Sequence, residues 1–178
     1  MIETQSLILI GIGANLHSHE FGSPRATCEA AIKELECAGL SITGRSNWLK
    51  SAPVPVSDQP WFVNAVIAVD TPLEPAELLS ILQVTEARFG RVRGEKNAAR
   101  TLDIDLIAYG EIVRGWEDEG NPDLILPHPR MHERAFVLLP LQEIAPNWRH
   151  PVSKITVSQM IGEMDGAQLV EPDEKSGS

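Results

Sequence analysis

Apolar residues recur along this chain with two distinct periods. Residues 7–12 form a short, continuous, isoleucine-rich apolar run ending in glycines at 11 and 13, which predicts a buried strand rather than a helix. After a polar loop, residues 24–38 carry Ala26, Ala30, Ala31, Leu35 and Ala38 at helical spacing. Ser23 stands as N-cap before Pro24 at the first helical position, and Gly39 closes the segment. Residues 40–49 and 62–69 have β character, separated by a proline-rich loop, 51–61, that carries Asp58 and Gln59. Residues 75–89 predict a second helix with Leu78, Leu79, Leu82 and Phe89 inward and Gly90 as its stop.

Residues 101–109 alternate as a strand does. A turn-rich stretch with Trp116 and Asn121-Pro122 then leads to a short strand at 124–126 and a helix at 132–139. A short helix follows at 156–160, and an acidic tail from Glu171 to the end is expected to be disordered. The order β, α, β, β, α, β is that of an α+β, ferredoxin-like sandwich with a largely antiparallel sheet, here with additional C-terminal helices. With 178 residues, the expectation is a single domain over 1–170 and a tail over 171–178.

Composition narrows the functional classes. The formal net charge of −10 disfavours general nucleic-acid binding, which depends on Lys and Arg neutralising phosphates. The first apolar run is too short to span a membrane and lacks the basic flank of a signal peptide. Cys28 and Cys37 fall nine positions apart on one helix, too far along its axis for a disulfide. A cytoplasmic location fits these features best.

The candidate chemistry is concentrated in one region. Asp103 and Asp105 alternate with Leu102, Ile104 and Leu106, so both carboxylates project from one strand face ~6 to 7 Å apart. Such a pair suits a hard divalent ion such as Mg²⁺, although an acidic solvated face has the same spacing. Just before it, five of the fifteen Lys and Arg residues fall within 88–100: Arg88, Arg91, Arg93, Lys96 and Arg100. Carboxylates for a metal beside cations for phosphoryl oxygens are the parts of phosphoryl transfer. A solvated loop paired with nearby acids is the alternative. No P-loop is present, and the 11–16 stretch ends in Leu where a dinucleotide fingerprint needs Gly or Ala. Phe62 and Asn64 share a strand face, as a stacking ring and an amide for a flat heterocycle would, or as core and backbone partner.

The run Lys96-Asn97-Ala98-Ala99-Arg100-Thr101-Leu102-Asp103-Ile104-Asp105-Leu106-Ile107 resembles the signature of the 6-hydroxymethyl-7,8-dihydropterin pyrophosphokinases of folate biosynthesis. The resemblance extends through Gly13-Ala14-Asn15-Leu16, Asp58-Gln59-Pro60, Phe62-Val63-Asn64, Glu86 with Gly90-Arg91-Val92-Arg93, Pro127-His128, Arg134-Ala135-Phe136 and Pro140-Leu141. It implies transfer of the terminal diphosphate of ATP to the hydroxymethyl group of a dihydropterin, with release of AMP. By the same resemblance, Asp103 and Asp105 hold two Mg²⁺ ions, and Arg91 and Arg100 assist the transfer. Gln83, Glu86, Arg93, Lys96, His128 and Arg134 lie on the ATP side, while Phe62 and Phe136 sandwich the pterin and Ser51, Val54 and Asn64 read its edge. The partners implied are these two small molecules, met by a monomer with no nucleic acid and no membrane. A non-catalytic ferredoxin-like module, or a metal-dependent nuclease or other phosphotransferase, would be the competing classes.

Overall fold

The computed structural model describes residues 6–90, 101–117 and 122–174. Along the chain run β1 (Ile8–Ala14), α1 (Pro24–Cys37), β2 (Ser41–Arg45), β3 (Leu49–Ser51), β4 (Phe62–Asp70), α2 (Pro75–Arg88) and β5 (Asp103–Tyr109). A 3₁₀ turn (Met131–Glu133), α3 (Ala135–Ile144), α4 (Val157–Glu163) and β6 (Val170–Pro172) follow. The sheet order is β5-β1-β4-β3-β6, with β2 also on β4, and every pairing among the described strands is antiparallel.

Helices cover one face of this sheet and part of the other, which explains why the start of β1 reads as an unbroken apolar run. Ile8, Ile10 and Ile12 enter a core with α1 and α2, whereas Leu9 enters a second core with α3 and α4. Ser23 caps α1 by accepting the Ala26 N–H, and Gly39, at φ +102°, ends it. There the Leu40 N–H bonds the Leu35 carbonyl and the Gly39 N–H bonds that of Glu36, the double bond of a Schellman stop. The buried stripe of α1 is Thr27, Cys28, Ala31, Ile32 and Leu35, so Ala38 of the expected stripe is exposed and Ala26 and Ala30 are only half-buried. Burial pushes the Cys28 thiol up to about 12, away from the setting of a reactive thiolate, while Cys37 is exposed.

Four expectations need correction. The segment 40–49 is broken into β2 and β3 by Ser46, whose backbone and hydroxyl both bond Val66. Residues 124–126 form no strand; Leu126 makes an isolated bridge to Arg114. The helix expected at 132–139 begins at Ala135 and runs to Ile144, through Pro140. A helical proline costs about 3 kcal/mol. Full burial of Leu141 supplies about 1.5–3 kcal/mol, and Ile144, partly buried against the second core, adds to it, which carries the helix past the proline. Finally, the tail from 171 is not wholly irregular, because Val170–Pro172 pairs with β3.

Candidate active site

The second face of the sheet is only half covered. Helices α3 and α4 pack over Leu9, Val66, Ala68 and Ile107. Toward the other end of the same strands, the side chains shrink to Gly11 and Gly13 on β1. Register sets Asn64 opposite Gly13 on one side and Asp103 on the other, with Asp105 opposite Gly11. The result is a cavity of about 210 Å³ with a glycine floor.

Its walls come from three separate parts of the chain. Phe62 and Asn64 rise from β4, Ser51 to Pro55 and Ser57 come from the proline-rich loop and its approach, and Arg134 and Phe136 come from the start of α3. Asn64 is buried and donates through Nδ2 to the Ser51 hydroxyl at 2.8 Å. Its Oδ1 lies over Gly13, where a Cβ would come within 2.6 Å. Asn15, buried at the end of β1, ties the loop down by donating to Gln59 Oε1 at 3.2 Å and to the Pro60 carbonyl at 3.1 Å.

Asp103 and Asp105 sit on the open face and line the cavity, with Leu102, Ile104 and Leu106 buried behind them. Arg134 links this acidic edge to the aromatic wall. Its guanidinium lies 3.4 Å from Asp105 Oδ2 and 5.7 Å from the centre of the Phe136 ring. Two hard oxygen donors on one rigid strand suit one or two Mg²⁺ ions completed by water and phosphate. His128 stands just beyond: its N–H bonds the carbonyl of Ile107, where the pairing of β5 with β1 shifts register. Burial, with a smaller contribution from Arg134, pushes the His128 imidazole down to about 4, and its Nδ1 accepts the Arg130 N–H. The ring is thus a neutral acceptor at physiological pH.

The chain matches the family model for 7,8-dihydro-6-hydroxymethylpterin-pyrophosphokinase over residues 9–146. It therefore belongs to the 7,8-dihydro-6-hydroxymethylpterin-pyrophosphokinase family. It is 39% identical over 158 residues to a Synechocystis 2-amino-4-hydroxy-6-hydroxymethyldihydropteridine pyrophosphokinase, covering 88% of this chain and 75% of that one. A Methylorubrum extorquens protein of the same name is 37% identical, with 91% of this chain and 97% of that one covered. Among solved structures, the Plasmodium falciparum HPPK-DHPS wild type resembles it with a TM-score of 0.61 at 12% identity. That match covers 88% of this chain and 44% of the other, and it speaks for the fold alone.

Within this pyrophosphokinase fold, Ser51, Val54, Phe62, Asn64, Asp103, Asp105, Arg134 and Phe136 all line one cavity. Gln83, Glu86 and His128 do not. Gln83 is exposed on α2. Glu86 is buried behind β5, and its Oε1 accepts the Ile104 N–H at 2.7 Å, between the two aspartates. Arg91, Arg93, Lys96 and Arg100 lie outside the described residues. Unforeseen lining residues include Gly11, Arg130, Glu133 and Gln168. Gln168 carries no motif signal, since it sits beyond the residues that the family resemblance covers.

Proposed function

We propose that this pyrophosphokinase of folate biosynthesis uses the glycine-floored cavity to bind 6-hydroxymethyl-7,8-dihydropterin and the Asp103–Asp105 edge to receive ATP. The observation that carries this reading is the convergence of two aromatic rings, a buried amide and a carboxylate pair on one cavity. Phe62 and Phe136 would stack on the two ring faces, the arrangement a flat heterocycle favours. Asn64, its Nδ2 engaged by Ser51, would present Oδ1 to the amino edge of the pterin. Ser51 and Val54 complete that edge.

The hydroxymethyl oxygen forms a bond to the β-phosphorus and gives up its proton to solvent, as the bond from that phosphorus to the AMP oxygen breaks, so the two oxygens must lie in line. Asp103 and Asp105 would hold the two Mg²⁺ ions, which when bound offset phosphate charge and polarise the reacting oxygens. Arg134, already beside Asp105, is placed to pair a phosphate oxygen. Arg91 and Arg100 would neutralise charge in the transition state, with Gln83, Glu86, Arg93, Lys96 and His128 on the nucleotide side. Glu86 contributes in any case by holding the backbone between the aspartates. The strand order supports a ferredoxin-like sandwich as the frame. The partners in this reading are two small molecules met by a cytoplasmic monomer, and the net charge of −10 argues against an extended nucleic-acid surface.

Purified protein given ATP, Mg²⁺ and the dihydropterin is expected to release AMP, with ADP at background. Asp105→Ala should lower kcat by at least ~10²-fold, the scale of a lost electrostatic group. Thermal unfolding of this variant should stay near wild type, because the carboxylate is on the open face. AMP release without the pterin, or full activity in Asp105→Ala, would refute the assignment.

A further inference from the structure

The C-terminal segment touches both walls of the cavity. On one side the Leu169 carbonyl accepts the Ala52 N–H at 3.0 Å, and Val170 pairs with Ser51, the residue that holds Asn64. Asp173 secures that end: its N–H bonds the Trp48 carbonyl at 3.0 Å, and its carboxylate lies 3.3 Å from both Lys50 and Arg25. On the other side stands Gln168. Its Oε1 accepts the Ala135 N–H at 2.9 Å and its Nε2 donates to the Glu133 carbonyl at 2.6 Å.

Those two contacts bracket Arg134 and precede Phe136. Ala135 is the first residue of α3, so its N–H is one of the donors a helix start leaves unpaired. Arg134, at the N-cap position, makes no side-chain cap bond. Gln168 therefore supplies the missing cap from 33 residues downstream. An ordinary cap would fix only the helix start. This one also fixes the helix start relative to β3, because the same short segment is paired to Ser51.

We infer that Gln168 is a positioning residue for pterin binding, holding Phe136 at its distance from Phe62 through the first turn of α3. Both polar atoms of its side chain are engaged by the backbone of that turn, which makes the turn the route by which it positions Phe136. The inference rests on the pterin site described above. A role limited to stability would lower the amount of folded enzyme, and so the apparent kcat, while leaving KM alone. A positioning role raises KM for the pterin.

The test compares Gln168→Ala, Gln168→Glu and Phe136→Ala in steady-state AMP release, with dihydropterin varied at saturating MgATP. Gln168→Ala should raise the pterin KM about five- to tenfold, the size expected for a lost cap, with kcat within about twofold. Gln168→Glu keeps the acceptor for the Ala135 N–H but sets a carboxylate oxygen against the Glu133 carbonyl, so it should recover only part of that loss. Direct titration of the pterin into each variant with a non-hydrolysable ATP analogue should show the same order. A wild-type pterin KM in Gln168→Ala, or a loss confined to kcat, overturns the inference if Phe136→Ala weakens pterin binding. An unaffected pterin KM in Phe136→Ala overturns the site reading, and this inference with it.

Discussion

At the scale of single residues, the cavity depends as much on absent side chains as on present ones. Gly13 faces Asn64 across β1 and β4, and a methyl group there would stand 2.6 Å from Asn64 Oδ1, with the Val63 carbonyl at 3.3 Å. The side chain that must yield is the one held by Ser51. Gly13→Ala should therefore turn Asn64 away from its edge-reading position and raise the pterin KM by about tenfold or more, while the ATP KM holds. Kinetics with each substrate varied in turn would check this, and equal changes in both constants would count against it. The alternation that puts Phe62 and Asn64 on one face was legible in the sequence, as were the paired aspartates. The role of Gly13 was not, because a glycine at the end of an apolar run reads as a strand terminator until the neighbouring strand is known. Glu86 offered a subtler signal. It continues the i, i+4 stripe of Leu78 and Leu82, which is the stripe that faces β5, and its burial follows from that spacing.

At the scale of elements, regular periodicity carried through and long-range pairing did not. Both α1 and α2 appear within a residue of their expected limits because caps, prolines and terminal glycines mark them locally. The break between β2 and β3 has no such local mark. It arises because Ser46 turns its hydroxyl to accept the Val66 N–H at 3.0 Å while its own N–H bonds the Val66 carbonyl. The ladder continues through a side chain where the strand is interrupted. Ser46→Ala would leave a buried N–H of β4 without its partner, and should destabilise the fold by about 1–3 kcal/mol. Equilibrium unfolding in urea measures this, and a change under 0.5 kcal/mol would show that water or a shifted backbone serves Val66 equally well. Strand β6 was missed for a related reason: its three residues, Val170, Glu171 and Pro172, lack strand alternation, and only the edge of β3 gives them a conformation.

For the whole molecule, acidity and two neutral imidazoles act against each other as pH falls. The net charge of −10 is relieved as pH approaches the pI near 4.9, which reduces self-repulsion in the folded state. His128 and His150 oppose that gain. Each is held down to about 4, His128 by burial and by Arg134, His150 by burial and by His132. In both rings Nδ1 already accepts backbone N–H groups, from Arg130 in one case and from Val152 and Ser153 in the other. A proton on Nδ1 would break those bonds. Because the folded pKa lies below the ordinary value near 6.5, the unfolded chain binds the proton first. Stability from these groups is thus intact above about pH 6.5 and lost progressively down to about pH 4. At pH 5 the loss is on the order of 1–2 kcal/mol for each imidazole. Urea unfolding of wild type and His128→Gln at pH 7.5 and 5.0 separates this from the general charge effect, which both proteins share. The fall in stability between the two pH values should be smaller in His128→Gln by about 1 kcal/mol or more, and identical falls would mean that His128 titrates normally in the folded protein.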